Sequence, residues 1–144
     1  MIVYLIYILI SPILWSLLYI AAIFNQKIED RIVNYKNQFN SALKKYKQSN
    51  KELIIFHAAS NGELEQLKPL FRKIDKNRYF ILLTVSSSSI HTTLDDEIDA
   101  FCYQPFDFIG MVYYFFYRIK PSKYIITRHD IWPNHIITCN ILSI

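Results

Sequence analysis

The stretch "LIIFHA" at residues 53–58, followed at once by "ASNGELEQL" at 59–67, decides the fold class. The first part is continuously apolar, which is typical of a strand that is buried on both faces of a sheet. The second part contains Ser60-x-x-Glu63, a helix capping box in which the serine and the glutamate satisfy otherwise unpaired backbone donors. A strand that leads directly into a helix indicates an α/β unit. Glu63 either starts this helix or is a base placed for chemistry, and the pattern alone leaves both interpretations open.

The same alternation continues along the chain. Longer segments of mixed polarity predict helices over residues 62–75, 88–96 and 106–119, with a last helix beginning near Pro133. Short apolar runs that alternate with helices predict a parallel sheet covered by helices. We therefore expect an α/β fold with a Rossmann-like parallel sheet. Its further strands are predicted at "YFILLTV" (79–85), "IDAFCY" (98–103) and "KYIIT" (123–127).

The N-terminal segment is strongly apolar, with no charged residue before Lys27. A stretch of this length can cross a hydrocarbon layer of roughly 30 Å as a helix, so we interpret residues 2–24 as a membrane anchor. A cleaved signal peptide would have a basic start, a shorter apolar centre and a clear cleavage site. A buried core helix is the remaining alternative. The expected organisation is an anchor at 1–26, a basic amphipathic helix and linker at 27–50, and a globular part at 51–144.

The charge excess lies beside this anchor. Residues 27–52 contain seven Lys or Arg and three Asp or Glu, whereas residues 53–144 contain nine of each. The positive-inside rule then places everything after residue 26 in the cytoplasm, with the basic segment on anionic lipids of the inner membrane and the anchor as a single pass. Nucleic acid is not expected as a partner, because the basic segment lacks a recognised motif. Apolar residues between 28 and 46 recur at helical spacing, and their stripe could face either lipid or the globular part.

Two cysteines, Cys102 and Cys139, show no metal or redox spacing and suit a reducing compartment as buried packing residues. No metal site is predicted. "QSNKE" at 48–52 is interpreted as a short linker. Only two glycines occur in the chain, so a glycine-rich phosphate cradle is absent from the sequence and no cofactor is predicted.

Four polar segments fall where predicted strands end: "HAASNGE", "TVSSSS", "QPFD" and "TRHDIWPN". In open parallel sheets, ligands bind at this carboxyl edge, where helix N-termini also point. Several candidates have a structural alternative: Ser60 as a cap, Gly62 as a bend, and His57 as a satisfied core histidine. Asp107 is favoured as a helix cap. The edge nominates Glu63, the run from Ser86 to Ser89, Asp107, Arg128, His129 and Asp130.

These segments carry a family resemblance. "HAASNGELEQLKPL", "TVSSSS", "QPFDFIG" and "IKPSKYIITRHDIWPN", in this order, resemble the N-terminal half of the 3-deoxy-D-manno-octulosonic acid (Kdo) transferases over about residues 1–134. These are inner-membrane glycosyltransferases of lipopolysaccharide synthesis. The resemblance implies two Rossmann-like domains that face a cleft, of which the first receives the lipid A precursor and the second binds the donor, CMP-Kdo.

The resemblance also implies roles for individual residues. Glu63 would be the catalytic base that takes the proton from a glucosamine 6-hydroxyl as this oxygen attacks the anomeric carbon of Kdo. Arg128 stands where the family commonly has an acidic residue, and Arg128 and His129 could instead face lipid phosphates. The serines at 86–89 replace a mainly threonine stretch. The implied substrate-binding residues are Ser60, Asn61, Gly62, Ser86, Ser87, Arg128, His129 and Asp130.

Compared with this family, residues 51–144 would form an incomplete N-terminal glycosyltransferase domain. We therefore expect a truncated chain that cannot transfer sugar alone, because the donor-binding domain would be missing. One alternative is a catalytically inactive, membrane-anchored glycolipid-binding fragment. Another is a membrane-tethered α/β protein of a different kind, such as a signalling receiver. The receiver is disfavoured because no acidic cluster follows the first predicted strand.

Overall fold

The computed structural model describes residues 2–87, 90, 97–127 and 130–144. Within these residues the chain forms a parallel four-stranded sheet in the order β3-β2-β1-β4, with helices on both faces. The predicted α/β class is thus confirmed. The elements are α1 (Ile2–Phe24), α2 (Gln26–Ser49), β1 (Glu52–Ala58), α3 (Asn61–Phe71), β2 (Tyr79–Val85), β3 (Ala100–Tyr103), α4 (Ile109–Ile119), β4 (Lys123–Ile126) and α5 (Pro133–Leu142).

The strands are buried on both faces because successive side chains point in opposite directions. In β1, Leu53 and Ile55 pack in a core with α2 and α4, whereas Ile54 and Phe56 pack in a second core with α3. All four are at most 6% exposed. The run at 53–58 is therefore continuously apolar because both faces of the strand are buried, as predicted.

Helix α2 belongs to the globular part. Phe39, Ala42 and Leu43 are buried in the first core, so the stripe of α2 packs against the sheet rather than against lipid. The helix continues to Ser49 and ends at Asn50, which has left-handed φ and ψ angles (53° and 24°). Asn tolerates this conformation better than most residues. The predicted linker at 48–52 was therefore too long, since only Asn50 and Lys51 separate α2 from β1.

Polar residues of α2 also cover the open edge of β3. The side-chain oxygen of Gln38 accepts the backbone N–H of Tyr103 at 3.1 Å, and the Tyr103 hydroxyl donates to Asp30. An uncovered edge strand would present unpaired backbone groups to other chains. The position of α2 over β3 is thus fixed by hydrogen bonds as well as by packing.

Two predicted helices are shorter than expected. Helix α3 ends at Phe71, because the chain turns at Asp75, whose backbone oxygen accepts from the N–H groups of Arg78 and Tyr79. Helix α4 begins at Ile109 rather than 106, since Phe106 and Phe108 form a tight turn before it. The predicted helix at 88–96 lies almost entirely outside the described residues. Cys102 is buried as expected, whereas Cys139 is only half-buried.

Candidate functional site at the carboxyl edge of the sheet

The first turn of α3 places Glu63 at the carboxyl edge of the sheet. Ser60 is the N-cap, and its Oγ accepts the Glu63 N–H at 3.4 Å. The Glu63 carboxylate does not return to the Ser60 N–H as a capping box would; its Oε2 accepts from the Ala59 N–H at 2.7 Å and from the Thr127 hydroxyl at 3.1 Å. Because β1 and β4 are neighbours, this carboxylate joins the loops that follow the two strands.

The surroundings of Glu63 suit a negatively charged group that meets a ligand. Two donors face Oε2, and the positive end of a helix favours a nearby anion. Within the described residues Oε1 has no hydrogen-bond partner, and the residue is only half-buried. Among the described residues, Oε2 therefore holds the side chain in place, and no hydrogen bond to Oε1 competes with the acceptance of a proton.

His57 occupies the same edge but is fully buried. It lies opposite Thr84 in the β1–β2 register, and its Nδ1 is 3.1 Å from the Thr84 hydroxyl. Its Nε2 is 2.5 Å from Oδ2 of Asp130, whose Oδ1 accepts from the Trp132 indole N–H at 2.6 Å. The hydrogen bond from His57 lowers the pKa of Asp130, although burial opposes this shift. The interpretation of His57 as a satisfied core histidine is confirmed.

Asp107 is a helix cap, as predicted, but the helix is α5. Its carboxylate accepts the backbone N–H groups of Asn134 and His135 at 3.3 Å, the His135 Nδ1 at 2.8 Å and the Tyr7 hydroxyl at 2.6 Å. The following helix, α4, has Phe108 as its N-cap residue, which makes no side-chain capping hydrogen bond. Burial raises the pKa of Asp107, but the hydrogen bonds outweigh it and the net shift is downward. Burial lowers the pKa of His135, which sequence reasoning left without a role.

Arg31 of α2 is a further residue that sequence reasoning missed. Its guanidinium lies 4.0 Å from the centre of the Phe106 ring, and its Nη2 donates to the Gln104 carbonyl at 2.8 Å. Burial lowers the pKa of Arg31 to about 10, so it remains charged at neutral pH. No sequence signal distinguished Arg31 from the other cations of a basic helix. It lines a cavity of about 570 Å³ between α1 and the sheet edge, together with Tyr7, Leu18, Ser86, Phe106 and Trp132.

The structure places the other predicted residues as follows. Ser60, Asn61 and Gly62 are exposed beside Glu63 at the start of α3. Ser86 and Ser87 are half-buried after β2, and Asp130 is half-buried after β4. Arg128 and His129 lie outside the described residues. Within the part of the chain that is described, no cluster of three His, Cys, Asp or Glu could hold a metal ion. Thr127, the partner of Glu63, was missed although it is the first residue of the quoted segment "TRHDIWPN".

The fold and the site define a class: an α/β domain with a parallel sheet that presents a carboxylate at its ligand-binding edge and carries a long apolar helix at its N-terminus. Among the described residues, α1 is the helix that is long and apolar enough to cross a membrane. Residues 26–144 match the family model for 3-deoxy-D-manno-octulosonic-acid transferase (kdotransferase), and the chain belongs to this family. It is thus a glycosyltransferase-family domain, as the four motifs indicated. Neither curated proteins nor solved structures gave a match.

Proposed function

We propose that this chain supplies the acceptor-binding part of a Kdo transferase, which moves Kdo from CMP-Kdo to a lipid A precursor in lipopolysaccharide biosynthesis. Family membership supports the reaction class. The observation that carries the proposal is the position of Glu63, whose half-buried carboxylate lies at the carboxyl edge of the sheet and, among the described residues, is held through its Oε2.

Glu63 acts as the general base in this proposal. Its Oε1 takes the proton of a sugar hydroxyl on the acceptor while that oxygen forms a bond to the anomeric carbon of Kdo. The bond from this carbon to the phosphate oxygen breaks, and CMP leaves with the electron pair, so the configuration inverts. The base must lie within hydrogen-bond reach of the hydroxyl. The Ala59 N–H and the Thr127 hydroxyl keep the carboxylate oriented while Oε1 accepts the proton.

The remaining predicted residues would bind the acceptor around this base. Ser60, Asn61 and Gly62 offer polar groups on an exposed turn beside Glu63. Ser86, Ser87 and Asp130 follow the neighbouring strands at the same edge. Arg128 and His129 would face phosphates of the acidic glycolipid, because guanidinium matches phosphate geometry. CMP-Kdo would bind mainly to a second domain.

The proposed setting is the cytoplasmic face of the inner membrane. Helix α1 would anchor the chain, since most of its apolar side chains are exposed. Helix α2 follows after a single residue, Asn25, and its lysines would attract anionic lipid headgroups. The acceptor is itself a membrane lipid, so this placement brings the domain to its substrate.

The test combines lipid binding with sugar transfer. The purified chain in detergent micelles is mixed with a lipid A precursor, and Kdo transfer from CMP-Kdo is measured with and without the donor-binding domain of a family member. We expect the chain to bind the lipid and to support transfer only when that domain is supplied. Glu63→Gln should lower transfer by about 10²–10⁴-fold with lipid binding retained. Glu65→Gln is the matched control, because this exposed side chain pairs with Lys68, one turn further along α3, rather than with the sheet edge.

Each outcome bears on a separate part of the proposal. Undiminished transfer by Glu63→Gln would remove Glu63 as the base. Absence of lipid binding would overturn the acceptor function. Lipid binding with no turnover under any condition would instead favour the inactive glycolipid-binding fragment. Transfer by the unaided chain would contradict the expected dependence on a second domain.

A further inference from the structure

One face of α1 is fixed to the globular part along much of its length. The Tyr4 hydroxyl donates to Oδ1 of Asn134 at 2.8 Å, and the Tyr7 hydroxyl donates to Oδ2 of Asp107 at 2.6 Å. Two turns further along, the Trp15 ring packs edge-on against Phe108, with 4.6 Å between ring centres. Residues 4, 7 and 15 recur at helical spacing and therefore share one face of the helix.

The opposite face of α1 is apolar and exposed. Leu9 is 76% exposed, Ile13 is 61% exposed and Ile23 is 77% exposed. Soluble surfaces seldom carry a continuous apolar stripe of this length, and such a stripe marks a membrane or protein interface. The two faces of α1 thus differ in their contacts, although both are largely apolar in sequence.

The contacts of Tyr4 and Tyr7 are incompatible with a helix that crosses the bilayer. Tyr4 lies twenty residues before Phe24, which corresponds to roughly 30 Å at the rise of an α-helix. This distance equals the thickness of the hydrocarbon layer. In a spanning helix with Phe24 at the cytoplasmic side, Tyr4 would therefore lie at the far side. Asn134 and Asp107 could not follow it, because loop backbone and a carboxylate are not tolerated in lipid.

We infer that α1 lies along the membrane surface instead of crossing it. Its Tyr4–Tyr7–Trp15 face stays on the globular part, and its exposed apolar face enters the acyl chains of one leaflet, the cytoplasmic one. Charge supports this occupant, because only Asn25 separates α1 from α2, and residues 27–52 carry seven Lys or Arg against three Asp or Glu. A basic segment next to an apolar helix is attracted by anionic headgroups of the cytoplasmic leaflet. The inference rests on the proposed membrane association and replaces the single-pass anchor predicted from hydropathy.

This orientation also changes the role of α1 at the site. Helix α1 forms one wall of the cavity that Arg31 and Phe106 line. If α1 lies in the surface of the leaflet, this wall of the cavity lies at the same depth in the membrane as a lipid acceptor. The anchor and the acceptor-binding edge are then parts of one surface.

The orientation can be tested by photo-crosslinking of the full chain in native membranes. A p-benzoylphenylalanine residue replaces either Tyr7 or, as the matched control on the opposite face, Leu9. We expect the Tyr7 position to crosslink within the chain, to the segment 105–108, and the Leu9 position to crosslink to phospholipid. Crosslinking of both positions to phospholipid, with no internal product from Tyr7, would overturn the inference.

A second measurement does not depend on crosslinking geometry. Ile2→Cys, a position that is 74% exposed, is treated with a membrane-impermeant maleimide in intact cells whose outer membrane has been opened. We expect labelling of residue 2, read by mass spectrometry separately from that of Cys139, only after the inner membrane is disrupted. Labelling of residue 2 from the outside would show a spanning helix. Recovery of the chain in the soluble fraction would instead overturn the membrane association itself. Neither result depends on sugar transfer.

Discussion

Replacing Asp107 by alanine tests how much its hydrogen bonds stabilise the contact between the loop before α4 and the start of α5. The Asp107 side chain is only 6% exposed and accepts four hydrogen bonds. Two are short, from the His135 ring at 2.8 Å and from the Tyr7 hydroxyl at 2.6 Å. Alanine removes both acceptor oxygens and with them all four hydrogen bonds. The buried imidazole of His135 is then left without a partner among the described residues, since its Nε2 already has none there.

The expected loss of stability follows from these contacts. A hydrogen bond to a charged group contributes about 1.5–3 kcal/mol, and the two backbone contacts at 3.3 Å are longer and weaker. Tyr7 lies on α1 and can find other partners at a membrane or detergent surface, so its share is discounted. We expect Asp107→Ala to lower the free energy of unfolding by about 3 kcal/mol. For a chain of this size, that corresponds to a decrease in Tm of roughly 6–12 °C.

The assay is thermal unfolding of the full chain in detergent, followed by near-ultraviolet circular dichroism. Asp75→Ala is the matched control, because Asp75 is exposed and its carboxylate accepts the N–H of Asn77 within a local turn. A difference between the two variants of less than about 0.5 kcal/mol, the size of an ordinary surface effect, would refute the reasoning. Asp107→Asn, which keeps one acceptor oxygen, should fall between them.

Two further predictions concern pH and thiol chemistry. Burial lowers the pKa of His135 below its ordinary value of 6.5, so below pH 6.5 the unfolded chain binds more protons at this residue than the folded chain does. The free energy of unfolding should therefore fall as the pH drops below 6.5, with a slope of at most about 1.4 kcal/mol per pH unit. His135→Asn, which retains a donor near Asp107, should flatten the unfolding free energy between pH 6.5 and more acidic values; an unchanged slope would contradict the assignment. Burial raises the pKa of Cys139 to about 11 and that of the fully buried Cys102 further, so a maleimide should modify Cys139 first in the folded chain and Cys102 only on unfolding. Equal rates, measured by mass spectrometry, would contradict the burial of Cys102.

Much of the fold could be predicted from local patterns. The strand at 79–85 has the predicted bounds, and β1 differs by one residue, because continuous apolar runs mark strands buried on both faces. The sequence could not predict whether the apolar side of α2 faces the sheet or a lipid surface. An amphipathic helix has the same sequence pattern whether a sheet or a lipid surface covers its apolar side, and only the packing of Phe39 and Leu43 distinguished the two.

The candidate site was predictable in position but not in detail. The capping pattern correctly located Ser60 and Glu63 at the start of a helix after a strand. It wrongly implied that the Glu63 carboxylate turns back to Ser60, because Thr127 and Ala59 offer donors that the local pattern does not contain. Asp107 was recognised as a cap, but it caps α5 and not α4, the helix that follows it in sequence.

The sequence by itself determined the alternation of strands and helices, the turn that carries Glu63, the family and the apolar character of α1. These properties depend on periodicity and on hydrogen bonds between residues a few positions apart. Tertiary structure alone decided that Thr127 donates to Glu63, which helix Asp107 caps and which face of α1 meets the globular part. Those contacts join residues that are 64, 27 and 130 positions apart, so they exist only once the sheet and its helices have packed.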